Sequence, residues 1–86
     1  MRWRRNPAVL WRTAPDYLVL AAVDGRTLEV DGPGCEVWAR LAGWISEGDL
    51  TAALARHYGA EERVVSSDVR SLLEGLHGQG YVDRDG

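Results

Sequence analysis

Val23 to Leu41, VDGRTLEVDGPGCEVWARL, closes a hairpin, supplies a strand and then opens a helix, so its reading decides the fold. Asp24-Gly25 lies between two apolar runs, and Asp-Gly suits a two-residue type I′ turn, in which both central residues need positive φ. Such a loop sets Val23 opposite Arg26, Ala21 opposite Leu28 and Val19 opposite Val30, an apolar face for the core. The other face then pairs Leu20 with Glu29 and Leu18 with Asp31, so Arg26 to Asp31 alternates as a half-exposed strand should. Gly32-Pro33-Gly34 ends the strand and opens a helix, because proline is tolerated in a first turn whose amides have no partner.

Upstream, Ala8 to Thr13 and Asp16 to Val23 read as two strands broken at Ala14-Pro15. With Arg26 to Asp31 they form a meander whose third strand lies at an edge. Downstream, a first helix is expected over Pro33 to Ala42, with Val37, Trp38 and Leu41 on one face and Gly43 as its stop. Ser46 and Asp49 resemble a capping box for a second helix carrying Leu50, Leu54 and Tyr58, which Gly59 ends. Ala60 to Val65 reads as a loop with solvated Glu61, Glu62 and Arg63, and Ser66 or Ser67 caps a third helix. Val69, Leu72, Leu73 and Leu76 recur at i, i+3, i+4 and i+7 before Gly78 and Gly80, and Tyr81-Val82 is a short strand or extended tail. The fold class is α+β, winged helix-turn-helix-like: an N-terminal three-stranded antiparallel sheet followed by three helices, in one domain over residues 1–86.

At 86 residues, nearly every apolar side chain is needed for the core, which leaves little room for a buried catalytic cleft. Thirteen acidic and ten basic residues give a net charge of −3, which argues against nucleic acid as the main partner. All basic residues are arginine, and Arg2, Arg4, Arg5 and Arg12 make the amino terminus basic, most simply as a frayed, solvated segment. Cys35, the only cysteine, excludes an internal disulfide and suits a reducing cytoplasm; beside Val37 and Trp38 it reads as packing rather than as a nucleophile. His57 and His77 lie on different helices without a metal-binding or hydrolytic pattern, each placed to meet the carbonyl end of its helix. No run approaches the roughly 18 apolar residues of a membrane span. The expectation is no enzyme activity, no cofactor, no metal site and no membrane partner. Trp38 is assigned to the core, and Trp44 to core or hairpin packing in preference to a surface anchor.

What remains is a surface. If the third helix packs beside the edge strand Arg26 to Asp31, the gap is a groove that an extended peptide could enter by strand addition. The backbone of Thr27, Leu28, Glu29, Val30 and Asp31 would form the ladder, and Val69, Leu73 and Leu76 the apolar wall. Arg26, Arg70 and His77 would stand at the rim, and a small rotation of the helix would exchange Leu72 for Leu73. The rival is a winged-helix nucleic-acid-binding regulator, for which the third helix is poorly suited because Arg70 is accompanied by Asp68 and Glu74.

The run LEVDGPGCEVWARLAG, then Ser46 with Leu50, Leu54 and Tyr58, then DVRSLLEGLHGQGYV, resembles the PqqD-like domain, the recognition element of ribosomally made, modified peptide natural products. Val30-Asp31 before the helix, Trp38 with Leu41, and Gly80-Tyr81-Val82 carry the likeness; Gly32-Pro33-Gly34 departs from the polar residues often found there. The resemblance implies a winged-helix fold whose third strand and third helix clamp a precursor leader peptide as an added antiparallel strand. A domain of this size is most similar to the recognition protein of lasso-peptide biosynthesis, which hands the precursor to a partner leader peptidase before a cyclase closes the ring. Leaders of that kind carry a tyrosine, a proline and a leucine at short spacing.

Overall fold

The structure, a computed structural model, describes all residues from Met1 to Gly86. The strands are β1 (Arg2–Arg5), β2 (Leu10–Thr13), β3 (Tyr17–Ala21), β4 (Thr27–Asp31), β5 (Ile45–Ser46) and β6 (Val82–Asp85). The helices are α1 (Pro33–Arg40), α2 (Glu47–Tyr58) and α3 (Glu62–Gly78). The expected antiparallel meander is present in the order β2-β3-β4, followed by three helices, and a second three-stranded sheet, β5-β1-β6, joins the chain ends.

The hairpin register differs by one residue from the expected one. Ala21 pairs with Thr27, Leu20 with Leu28, Val19 with Glu29 and Leu18 with Val30. The loop holds three residues, because the Gly25 amide donates to the Ala22 carbonyl at 3.0 Å while the Ala22 amide donates to the Arg26 carbonyl at 2.8 Å. Gly25 sits at φ 89, so a turn followed by one left-handed residue replaces the two-residue loop. Asp24 braces this turn, its carboxylate accepting from the Arg26 amide at 3.0 Å and from Arg26 Nε at 2.7 Å. Those bonds hold the Asp24 carboxyl below the usual carboxylate range, the backbone bond contributing most. One residue of slip turns a strand over. Leu18 and Leu20 therefore enter the core, while Val19 and Ala21, expected inside, are only half-buried on the outer face.

The amino terminus is ordered rather than frayed. β1 lies between β5 and β6, and Trp3 is wholly buried, its indole Nε1 donating to Glu47 Oε1 at 3.1 Å. Arg2 and Arg4 pair with Asp85 and Asp83 of β6. Arg5 lies against the rings of Trp11 and Trp38, 4.7 and 5.4 Å from their centroids, and donates to the Trp38 and Ala39 carbonyls at 2.9 and 3.3 Å. It thereby helps cap the last turn of α1, where the Trp38 carbonyl also accepts from the Leu41 amide at 3.1 Å. Burial lowers its pKa. Trp44 is on the surface, 39 % exposed, with the Arg4 guanidinium 4.6 Å from its ring.

α2 begins as expected at Ser46, whose Oγ accepts from the Asp49 amide at 3.0 Å, and stops at Gly59. α3 starts at Glu62, inside the expected loop and before Ser66 and Ser67. The Glu61 carbonyl accepts from the amides of Val64 and Val65, and Glu62 suits the positive end of the helix. Val69, Leu73 and Leu76 are buried with Trp3, Leu18, Leu20, Val37, Trp38, Leu41, Leu50 and Leu54 in one core. Trp3→Ala should cost about 3–5 kcal/mol and lower the melting temperature by at least about 12 °C in a thermal melt. Leu73→Asp, which buries an unpaired carboxylate, should abolish cooperative unfolding in the same measurement.

Candidate functional site

β4 pairs only with β3, so its other edge is open. Because Ala22 and Arg26 are hydrogen-bonded, antiparallel alternation directs the amides and carbonyls of Leu28 and Val30 toward β3 and those of Thr27, Glu29 and Asp31 outward. The side chains alternate the other way: Leu28 and Val30 pack half-buried on the core, while Thr27, Glu29 and Asp31 are exposed.

α3 is held beside this edge at both ends of the strand. Arg26 Nη2 donates to the Gln79 carbonyl at 2.9 Å, tying the start of β4 to the end of the helix. At the other end, Val30 and Leu72 converge on Gly34 in the first turn of α1. A Cβ at Gly34 would lie 2.5 Å from Val30 Cγ1 and 3.9 Å from Leu72 Cδ2, so only glycine lets the helix approach this closely. Half-buried Leu28, Val30, Cys35, Val65 and Leu72 supply the apolar surface around the opening. Cys35 Sγ donates to the Val30 carbonyl at 3.4 Å, a packing contact that secures the end of the strand.

Just past β4, an apolar cavity of about 280 Å³ opens between Pro33 and Val37 of α1, Tyr58 of α2, and Val64, Val65 and Leu72 of α3, with Asp68 at its wall. A larger cavity, about 460 Å³, borders α1 and the β2–β3 turn and takes no lining residue from β4 or α3. Leu72 belongs both to the lining of the cavity beyond β4 and to the contact around Gly34, so the 280 Å³ cavity adjoins the end of the strand without taking a lining residue from it.

The expected wall requires correction. Leu73 and Leu76 are 0 and 3 % exposed, in the core rather than on the groove; Val69, 4 % exposed, belongs to the core and also lines the apolar cavity, and Leu72 takes the open position. Arg70 donates to Glu47 at 3.0 Å, and His77 meets the Trp3 ring edge-on at 6.0 Å, so both face β1 and the start of α2. At about 100° per residue, positions 70 and 72 are about 160° apart around a helix, and an arginine and a leucine so placed cannot share a groove. Arg26 does stand at the rim, already engaged by Asp24 and Gln79. Val65 and the cavity around Tyr58 and Val64 were missed because Ala60 to Val65 reads as a loop. The available signal was the stripe Val65, Asp68, Leu72, Gln79, which shares one helical face once α3 begins at Glu62.

The pattern of coenzyme PQQ synthesis protein D (PqqD) matches residues 16–82, from the β2–β3 turn to β6. The chain belongs to the PqqD family. This PqqD-family chain also superposes on two solved structures. One is TbiB1 in complex with the TbiA(beta) leader peptide, at TM-score 0.83 and 20 % identity, over 96 % of this chain and 98 % of that one. The other is the PqqD truncation of Methylobacterium extorquens PqqCD, described as a functional, stand-alone recognition element for ribosomally synthesised and post-translationally modified peptides. It aligns at TM-score 0.80 and 22 % identity, over 96 % and 89 % of the two chains. No curated protein matches the chain in sequence. Within this PqqD-family fold, Gly34→Ala should displace Val30 from the first turn of α1 at a cost of about 1–3 kcal/mol, read as a lowered denaturation midpoint.

Proposed function

We propose that this chain is a non-catalytic adaptor that binds the leader region of a ribosomally made precursor peptide. The leader adds to β4 as an antiparallel strand beside α3, and the bound precursor is presented to a partner leader peptidase and modifying enzymes, as in lasso-peptide biosynthesis in the cytoplasm. The observation that carries this reading is the open edge of β4, with outward main-chain groups at Thr27, Glu29 and Asp31 next to the apolar surface of Leu72. Strand addition draws affinity from main-chain bonds and selectivity from pockets that take alternate side chains. TbiB1, which shares the fold, was solved in complex with a leader peptide, and that supports a leader peptide as the ligand here.

Leu28, Val30, Val65 and Leu72 would touch the peptide's inward side chains, and the cavity bounded by Pro33, Tyr58 and Val64 would take an aromatic or aliphatic anchor. Val69, Leu73 and Leu76 act from the core by fixing how α3 sits against β4. Arg26 holds the groove open through Gln79 rather than meeting the peptide. α3 offers no arginine suited to a phosphate backbone, since Arg63 pairs with Glu61 and Arg70 with Glu47.

Leader peptides of precursor genes near the chain's own should bind saturably at micromolar concentration or tighter in fluorescence polarisation, whereas a shuffled leader and a DNA duplex should not; the opposite result would sink the adaptor reading. Leu72→Ala should weaken leader binding about tenfold with little change in melting temperature. Glu29→Pro, compared with Glu29→Gln, removes one outward donor and should weaken binding about threefold to tenfold.

A further inference from the structure

The charges bordering the β4 groove are unequal. Its one arginine, Arg26, is occupied by Asp24 and the Gln79 carbonyl, while Arg63 and Arg70 lie on the other side of α3, paired with Glu61 and Glu47. Its carboxylates are not. Glu29 and Asp31 on β4 and Asp68 at the apolar cavity take part in no ion pair and no side-chain hydrogen bond, while other carboxylates of the chain, such as Glu36, Glu47, Asp83 and Asp85, are paired with arginine.

The strand geometry says where these charges act. Glu29 and Asp31 are two residues apart, so both side chains stand on the outer face of the sheet, while Leu28 and Val30 point inward. Their neighbours across β3 are Val19 and Tyr17, which supply no positive charge. Arg12 lies in the same row as Glu29, opposite Val19 and two strands away at about 9–10 Å, and forms no ion pair with it. A charge directly opposed to Glu29 or Asp31 can come only from a strand that occupies the open edge, whose Cβ atoms would lie about 4.5–5.5 Å from theirs.

We infer that the occupant of this groove is a cationic, alternating peptide segment: apolar side chains face Leu28, Val30 and Leu72, and lysine or arginine stands opposite Glu29 and Asp31. The inference rests on the strand-addition reading and adds a charge rule to it. Main-chain bonds and apolar pockets would accept many peptides, whereas two unpaired carboxylates on one face discriminate against acidic segments, because like charges directly opposed across strands repel. Asp68 extends the same preference to the residue flanking the anchor in the cavity.

The test uses the leader peptide that binds in the titration above, together with two versions in which its lysines and arginines are replaced by glutamine or by glutamate. The glutamine version should lose about fivefold in affinity and the glutamate version more than about tenfold. Binding of the unmodified leader should weaken between 50 and 500 mM NaCl, as screening shortens the reach of charge. The double variant Glu29→Lys/Asp31→Lys, exposed at both positions and checked by an unchanged melt, should prefer the glutamate version. Equal binding of all three peptides, indifferent to salt and to the double variant, would overturn the charge rule and leave strand addition standing. A leader that binds without any lysine or arginine would do the same. If no leader binds at all, both readings fall together.

Discussion

The register of the β3–β4 hairpin is the constraint on which the rest of the molecule depends. With Gly25 at φ 89 and three residues in the loop, Leu18 and Leu20 face the helices, where they meet Val37, Trp38 and Leu73 in the core. A side chain with a Cβ would strain that left-handed position, and a two-residue loop would turn β3 over and put Val19 and Ala21 inside instead. Smaller side chains would then leave the core short of volume. β4 is oriented alike in either register, which is why its outward groups at Thr27, Glu29 and Asp31 follow from the hairpin itself.

A second constraint closes the chain on itself. Trp3 fills the space between α2, α3 and the terminal strands, and β1 pairs with β6 and β5, so residues far apart in sequence form one sheet. Arg5 adds a link to the end of α1 through the Trp38 and Ala39 carbonyls. The other end of α1 carries Gly34, against which Val30 and Leu72 rest. The terminal sheet thus bears on the groove without touching it, by holding the helix that sets the spacing of β4 and α3.

The third helix divides its surface among three tasks. Val69, Leu73 and Leu76 fill the core; Arg70 and His77 face Glu47 and Trp3; Val65, Asp68, Leu72 and Gln79 face the strand edge and its cavity. Members of a leucine pair such as Leu72-Leu73, about 100° apart on a helix, can therefore belong to different tasks. One is half-buried beside an open edge and the other is wholly inside. In such a small domain the same short helix both completes the core and presents a wall, so the groove is as rigid as the core behind it.

Local chemistry made much of this legible in the sequence. Pro33 after Gly32, the cap at Ser46, the stop at Gly59 and the apolar spacing of Val69 to Leu76 specify three helices, and the alternation of Thr27 to Asp31 specifies an edge strand, because each signal acts within one turn or one strand. The spacing and order of those signals carried the PqqD resemblance. Contacts between distant segments left no comparable mark. Arg2 to Arg5 reads as a charged terminus until Asp83 and Asp85 of β6 lie beside it, and Glu62 to Val65 reads as a loop until its valines find an apolar surface. The register turned on whether one glycine made a two-residue or a three-residue loop, and burying Leu18 and Leu20 decided it. The sequence by itself determined the three helices, the meander and the place of β4 at its edge. Only the tertiary structure decided which face of each element is spent on the core, because that choice is made by volume and by partners many residues away.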